Sequence, residues 1–118
     1  MRKANDAANH ADFAPLGVLE EQILVAVART MGHAFGMEVR REIERVTGRD
    51  LAIGAVYSTL DRLEAKGLVR SARVADESGS RRLFELSAEG ARMLTETHAM
   101  RERLWHGVDI RTLRMLTE

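Results

Sequence analysis

Apolar residues recur at intervals of three and four from Leu16 through Leu19, Ile23 and Val27 to Thr30, which predicts a first helix over about 16–30. Leu24 and Val25 widen its stripe, so the helix is expected to be central in a bundle or covered by a partner. Glu20 and Glu21 fall in its early turns, where negative charge suits the helix dipole. After a turn at Met31, Gly32 and His33, the residues Phe35, Val39, Ile43 and Val46 form the stripe of a second helix, stopped by Gly48. A third helix spans about 53–66. Val56, Leu60 and Leu63 share one face; Gly54, Ser58, Asp61, Arg62 and Ala65 share the other, with Tyr57 at the flank. Gly67 ends it, because a glycine there accepts the left-handed backbone of a helix end.

Beyond Gly67 the period changes to two. Val69, Ser71, Arg73 and Ala75 alternate with Arg70, Ala72 and Val74, the cluster 76–80 is turn chemistry, and Leu83, Phe84 and Leu86 make a second strand-like run. Ser87 is placed to cap a last helix, in which Met93, Leu94, Thr97, Met100, Arg101, Leu104, Trp105 and Val108 recur at helical spacing. Gly107 and Asp109 suggest a break before a short terminal helix. The fold class is therefore mostly α with a small β-hairpin: a winged helix-turn-helix followed by a C-terminal helix suited to dimerisation. Residues 1–14 read as a flexible or weakly helical leader, with Pro15 as its boundary; 15–86 read as the winged domain and 87–118 as the dimerisation helix and tail. In such an arrangement the third helix lies in the major groove of DNA, and the hairpin reaches the backbone or minor groove beside it.

Composition narrows the function by exclusion. The 118 residues suit one domain, and the absence of cysteine removes disulfides, thiolate metal sites and thiol nucleophiles. No apolar run approaches the roughly 20 residues that span a bilayer, and the first fourteen residues lack the apolar core of a signal peptide, so a cytoplasmic location is expected. Net charge is zero, but residues 40–82 hold ten basic and seven acidic side chains, leaving the middle mildly basic and the ends mildly acidic. No Gly-rich phosphate loop, His-Glu-x-x-His or Gly-x-Ser-x-Gly motif is present, so no enzyme is expected.

Three segments resemble the PadR family of bacterial transcriptional regulators. Around the third helix the family pattern is matched by Gly54, Val56, Tyr57, Leu60, Arg62, Leu63, Glu64, Gly67 and Leu68. At the end of the wing it is matched by Arg81, Arg82, Phe84, Leu86, Ser87 and Gly90, and Ala34-Phe35-Gly36 resembles the Ala-Tyr-Gly that opens the family's second helix, with Phe in place of Tyr. The resemblance covers about residues 16–95; the C-terminal part looks short for the family and residues 1–14 have no counterpart. It implies a homodimer that binds a palindromic operator, commonly as a repressor, sometimes released by a small effector. It also implies dimer contacts from the helix after the wing.

The candidate DNA-binding residues are Gly54, Tyr57, Ser58, Arg62, Lys66, Arg81 and Arg82. Small residues let a helix approach a groove, while polar ends reach phosphates and bases. Tyr57 has a hydroxyl that can donate to a phosphate, or it is simply a half-buried aromatic. Arg62 suits a phosphate or a guanine, with an internal pair to Asp61 or Glu64 as the alternative. Asp61, awkward on a DNA-facing helix, suits a cytosine amino group or the orientation of Arg62. Lys66 reads as a rim charge. Arg81 and Arg82 alternate across a strand, so one faces DNA and the other solvent or the core edge. Arg40, Arg41 and Arg45 read as a solvated surface with Glu38, Glu42 and Glu44 as partners.

On the last helix, Leu94, Met100, Leu104 and Trp105 are the candidate dimer interface; Trp105 with Met100 is also a candidate shelf for a small aromatic effector, as the resemblance allows. His98, Glu102 and His106 share a helix face that could bind a metal, but three ligands on one helix rarely close a site alone, since eight residues span about 12 Å; a solvated face with no metal or other cofactor is expected. Asn5, Asp6 and His10 match no recognised ligand spacing. The leading expectation is a DNA-binding regulator. The alternatives are a winged helix that binds only protein, favoured by the neutral net charge, and a small ligand sensor resting on Trp105 and the histidines.

Overall fold

The computed structural model describes residues 16–77 and 79–118, so the expectations for residues 1–15 lie outside the described residues. Helices α1 (Val18–Arg29), α2 (Gly36–Thr47) and α3 (Ile53–Ala65) are followed by strands β1 (Val69–Asp76) and β2 (Gly79–Leu86), then α4 (Ala88–Trp105) and α5 (Ile110–Leu116). This is the expected element order of a winged helix-turn-helix. Helix α1 packs on α2, α3, β2 and α4, which places it at the centre, as its wide apolar stripe requires.

The core is made by the stripes read from the sequence. Ile23, Leu24 and Val27 of α1 meet Val39 and Ile43 of α2, Val56, Leu60 and Leu63 of α3, and Val69 and Phe84 of the hairpin. Fully burying each of these side chains contributes on the order of 1.5–3 kcal/mol. Val46 departs from its expected place in the α2 stripe. It is 52% exposed, because it sits in the last turn and faces an open apolar groove between α1 and α2 that Val25 also lines.

Helix α3 ends as its glycine requires. Gly67 has φ 78°, and the Gly67 and Leu68 amides donate to the Glu64 and Leu63 carbonyls, each at 2.9 Å. That double closure stops the helix and aims the chain straight into β1. The hairpin is antiparallel, with Val69 opposite Leu86, Arg73 opposite Arg82 and Asp76 opposite Gly79. It is tied to the start of α2 by a third short pairing: Phe35 bridges Leu83, and the Phe84 amide donates to the Ala34 carbonyl at 2.9 Å. Ser87 caps α4 by accepting from the Gly90 amide at 3.0 Å. A Cβ on Gly90 would run into the Leu68 carbonyl, so a glycine there lets α4 leave close to the base of the wing. From Arg101 to Glu118 every residue is exposed, including Leu104, Trp105, Leu113 and Leu116.

Candidate nucleic-acid interface

The outward face of α3 carries Ile53, Gly54, Ser58, Asp61, Arg62 and Ala65, all exposed. The inward stripe of Val56, Leu60 and Leu63 fixes that orientation, since the two faces of one helix cannot turn independently. Gly54 has open space where a side chain would stand. Ser58 is exposed one turn further along.

Tyr57 sits at the flank, half-buried, with its ring 6.5 Å from Phe84 and tilted against it. Its hydroxyl lies over the first residue of α2. A Cβ on Gly36 would come within 2.5 Å of the Tyr57 oxygen, so the glycine of the Ala34-Phe35-Gly36 segment is there to admit this ring.

The cations beside this face have internal partners, several of them different from those expected. Arg62 does not pair with Asp61 or Glu64. It donates to the Thr59 hydroxyl at 3.2 Å and lies 3.9 Å from Glu20 of α1. Lys66 is not a free rim charge; it donates to Glu20 at 2.7 Å. Glu20 also accepts from the Gly17 amide at 3.1 Å, which closes the start of α1. The hydrogen bond from Lys66 is the main cause holding the Glu20 carboxyl below its ordinary range, against partial desolvation.

Asp61 orients Arg82, not Arg62. Arg82 donates to Asp61 at 2.9 Å and to Glu64 at 2.8 Å while lying over the Phe84 ring, 4.7 Å from its centre. Glu64 in turn accepts from the Ser71 amide and hydroxyl at 3.1 and 3.0 Å, which pins β1 to the end of α3. Asp61 is therefore no obstacle on the outward face, because an arginine meets its charge. Arg81 points to the other side of the hairpin. It stacks on Phe35 at 3.9 Å and donates to Asp76 at 2.7 Å and Glu38 at 3.2 Å.

Two wing arginines that the sequence pattern passed over are the exposed ones without a carboxylate partner among the described residues: Arg70, and Arg73, whose one contact is the Ser80 carbonyl at 3.4 Å. Their period-two alternation marked a strand but gave no sign of which cations the acids of α2 and α3 would take up.

On α2, Arg41 and Arg45 pair with Glu38 and Glu42, as read from their spacing. Arg40 instead reaches Asp50 at 3.0 Å and the Leu51 carbonyl, bracing the turn before α3. Glu42 sits between Arg45 and Arg29, whose hydrogen bonds lower its pKa to about 2. On α4, Leu94 and Met100 are half-buried while Leu104 is 67% and Trp105 52% exposed, so Trp105 is no part of this chain's own core. His98 lies 3.5 Å from Glu102, and no group of three metal-binding side chains converges among the described residues. No described helix is long and apolar enough to cross a membrane.

A helix with a small, polar outward face beside a basic hairpin suits a nucleic-acid groove, and comparison with known proteins agrees. The solved structure of a PadR family transcription regulator from Clostridium difficile is 25% identical, with a TM-score of 0.59 over 79% of this chain and 97% of that one. The winged-helix DNA-binding protein F93 from STIV, at 18% identity, shares the fold with a TM-score of 0.62 over 77% of this chain and 95% of that one. An uncharacterised 37.1 kDa protein in transposon TN4556 of Streptomyces fradiae is 39% identical over 82 residues; the match takes in 69% of this chain but only 23% of that protein. The model of the transcriptional regulator PadR-like family matches residues 23–96, from α1 across α3 and the wing into α4, and the chain belongs to that family.

Proposed function

We propose that the chain is a sequence-specific DNA-binding transcriptional regulator, acting in the cytoplasm as a homodimer on a palindromic operator and serving as a repressor. The observation that carries this reading is the outward face of α3. Its first turns present Gly54, with open space where a side chain would stand, and the exposed Ser58, and Arg62 stands exposed one turn on. That surface fits a major groove, and the hairpin stands beside it, where a wing meets the backbone. Tyr57 and Lys66 flank the face. The winged unit 15–86 does the reading, and 87–118 supplies the dimer contact through Leu94, Met100, Leu104 and Trp105. The half-exposed Trp105, with Met100 earlier on the same helix, is also where a small aromatic effector would bind and release the operator.

A second reading, a winged helix that binds only protein, is favoured by one observation: Lys66, Arg81 and Arg82 are each within 3 Å of a carboxylate of their own chain. Selection from random duplex DNA, sequenced and repeated at two salt concentrations, separates the two. The regulator reading expects an enriched inverted repeat with half-site centres about one helical turn apart and affinity that falls steeply with salt. No enrichment and no salt-sensitive binding would leave the protein-binding reading.

A further inference from the structure

We infer that Arg73, not Arg81 or Arg82, is the wing's contact to the DNA phosphate backbone; this rests on the DNA-binding reading above. The hairpin has four arginines, and its register and partners sort them. On one face lie Arg70 and Arg81. Arg81 is stacked on Phe35 and held by Asp76 and Glu38 at the start of α2. Arg70 stands near the base of the hairpin, directly across from Glu85, and its side chain leaves on the face away from α3.

On the other face lie Arg73 and Arg82, directly opposite each other. That face is turned to α3, because Arg82 reaches Asp61 on the outward surface of the helix and Glu64 beside it. Like charges directly across a ladder repel. Here Arg82 is drawn inward by two carboxylates and an aromatic ring, and both carboxylates are thereby used. Arg73, nearer the tip, is left exposed, its hydrogen-bond partner among the described residues being the Ser80 carbonyl at 3.4 Å. Its guanidinium is thus carried on the face of the wing turned to α3 with no carboxylate partner among the described residues. A phosphate contact by Arg81 or Arg82 competes with carboxylates that already meet their charge; one by Arg73 competes with no carboxylate among the described residues. Arg82 then acts as a positioning residue, neutralising Asp61 and setting the distance between wing and helix.

The test uses the full chain and fluorescent random-sequence duplex DNA, with affinity measured across a salt series for the unaltered protein, Arg73→Ala, Arg73→Lys and Arg81→Gln. Phosphate contact by Arg73 lowers the slope of log affinity against log salt by about one in Arg73→Ala, restores it in Arg73→Lys, and leaves it unchanged in Arg81→Gln. Thermal unfolding of each variant verifies that the fold is kept. If the unaltered protein binds with a steep salt slope while Arg73→Ala keeps that slope, or Arg81→Gln loses as much, the inference is overturned and the DNA-binding reading stands. If the unaltered protein shows no salt-sensitive binding, the DNA-binding reading itself falls, and the inference with it.

Discussion

The Tyr57 hydroxyl occupies the space that a side chain at position 36 would need: a Cβ on Gly36 would sit 2.5 Å from its oxygen. Two residues from separate motifs, one opening α2 and one on α3, are thus a single packing unit. The contact fixes the angle of α3 against α2, on which the direction of Gly54, Ser58 and Arg62 depends. Gly36→Ala is expected to lower stability by about 1–3 kcal/mol, as overpacking does, because the Tyr57 ring is trapped between α2 and Phe84. Urea unfolding of Gly36→Ala, of Tyr57→Ala and of the double variant measures it. Strong coupling between the two is expected, and additive effects would mean that the ring moves aside without cost.

Tyr57→Phe tests the other role of that ring. The aromatic body carries the packing, so removing the oxygen is expected to change stability by no more than about 0.5 kcal/mol. If the hydroxyl donates to a phosphate, affinity for a selected operator falls several-fold while the preference among operators stays the same. An unchanged affinity would leave Tyr57 as a packing residue alone.

Arg62→Ala bears on the outward face of α3. Its exposed head group is held by Thr59 at 3.2 Å and only loosely by Glu20 at 3.9 Å, so the fold loses little with it. Operator affinity is expected to fall by roughly 1–3 kcal/mol, the range for a bidentate guanine contact, with relaxed preference at one base pair. A uniform loss across all operators would reassign Arg62 to phosphate contact. No loss in a quantitative binding titration would remove it from the interface.

The elements and the core were legible from period and punctuation. The stripes of α1 and α3, the stop at Gly67 and the cap at Ser87 follow from local chemistry that acts within a few residues. The partners of the charged side chains were not legible. Lys66 and Glu20 are 46 positions apart and Arg82 and Asp61 are 21 apart, and nothing in their spacing pairs them. Arg41 and Arg45, whose acids lie three residues away on the same helix, were read correctly for that reason. Val46 was misplaced because periodicity says which face a residue takes, not how far along the helix its neighbour extends.

Acid titration should expose those ion pairs. Glu20, Glu21 and Glu42 are held below the ordinary carboxylate range, by Lys66, Arg101 and the pair Arg45 and Arg29 respectively. In the window below an unfolded-state value near 4.5 the unfolded chain binds more protons than the folded one, so stability rises with pH there. Their contribution is complete above that value and is lost as pH falls through the folded values, for Glu42 down to about 2. Glu20→Gln is expected to flatten this dependence, with a cost at neutral pH of about 1 kcal/mol or less, since Lys66 is half exposed. Urea midpoints measured from pH 7 down to pH 3 on both proteins check it; curves that stay parallel would mean that Glu20 gains nothing from Lys66 in the folded state.

The exposed run from Arg101 to Glu118 calls for a partner. It carries Leu104 and Trp105 at the end of α4, Val108 in the link, and Ile110, Leu113, Met115 and Leu116 on α5, which is only seven residues long. A helix that short does not hold in water by itself, because nucleation costs more than one or two turns of hydrogen bonds return. Seven large apolar side chains exposed within thirteen residues are what an interaction surface would present. Among the described residues, Arg101 is what ties this region back to its own domain by a side-chain hydrogen bond, to Glu21 at 2.7 Å. A second copy, related by a twofold axis, would cover Leu104 and Trp105 with their own equivalents. The unaltered chain is therefore expected to be a dimer by light scattering. Leu104→Glu should yield monomers, since it places an unpaired charge in the apolar seam. The tryptophan emission should shift to the red in that variant as Trp105 meets water. A monomeric unaltered chain, or a Leu104→Glu variant that keeps the dimer mass and the emission maximum, would put the seam elsewhere.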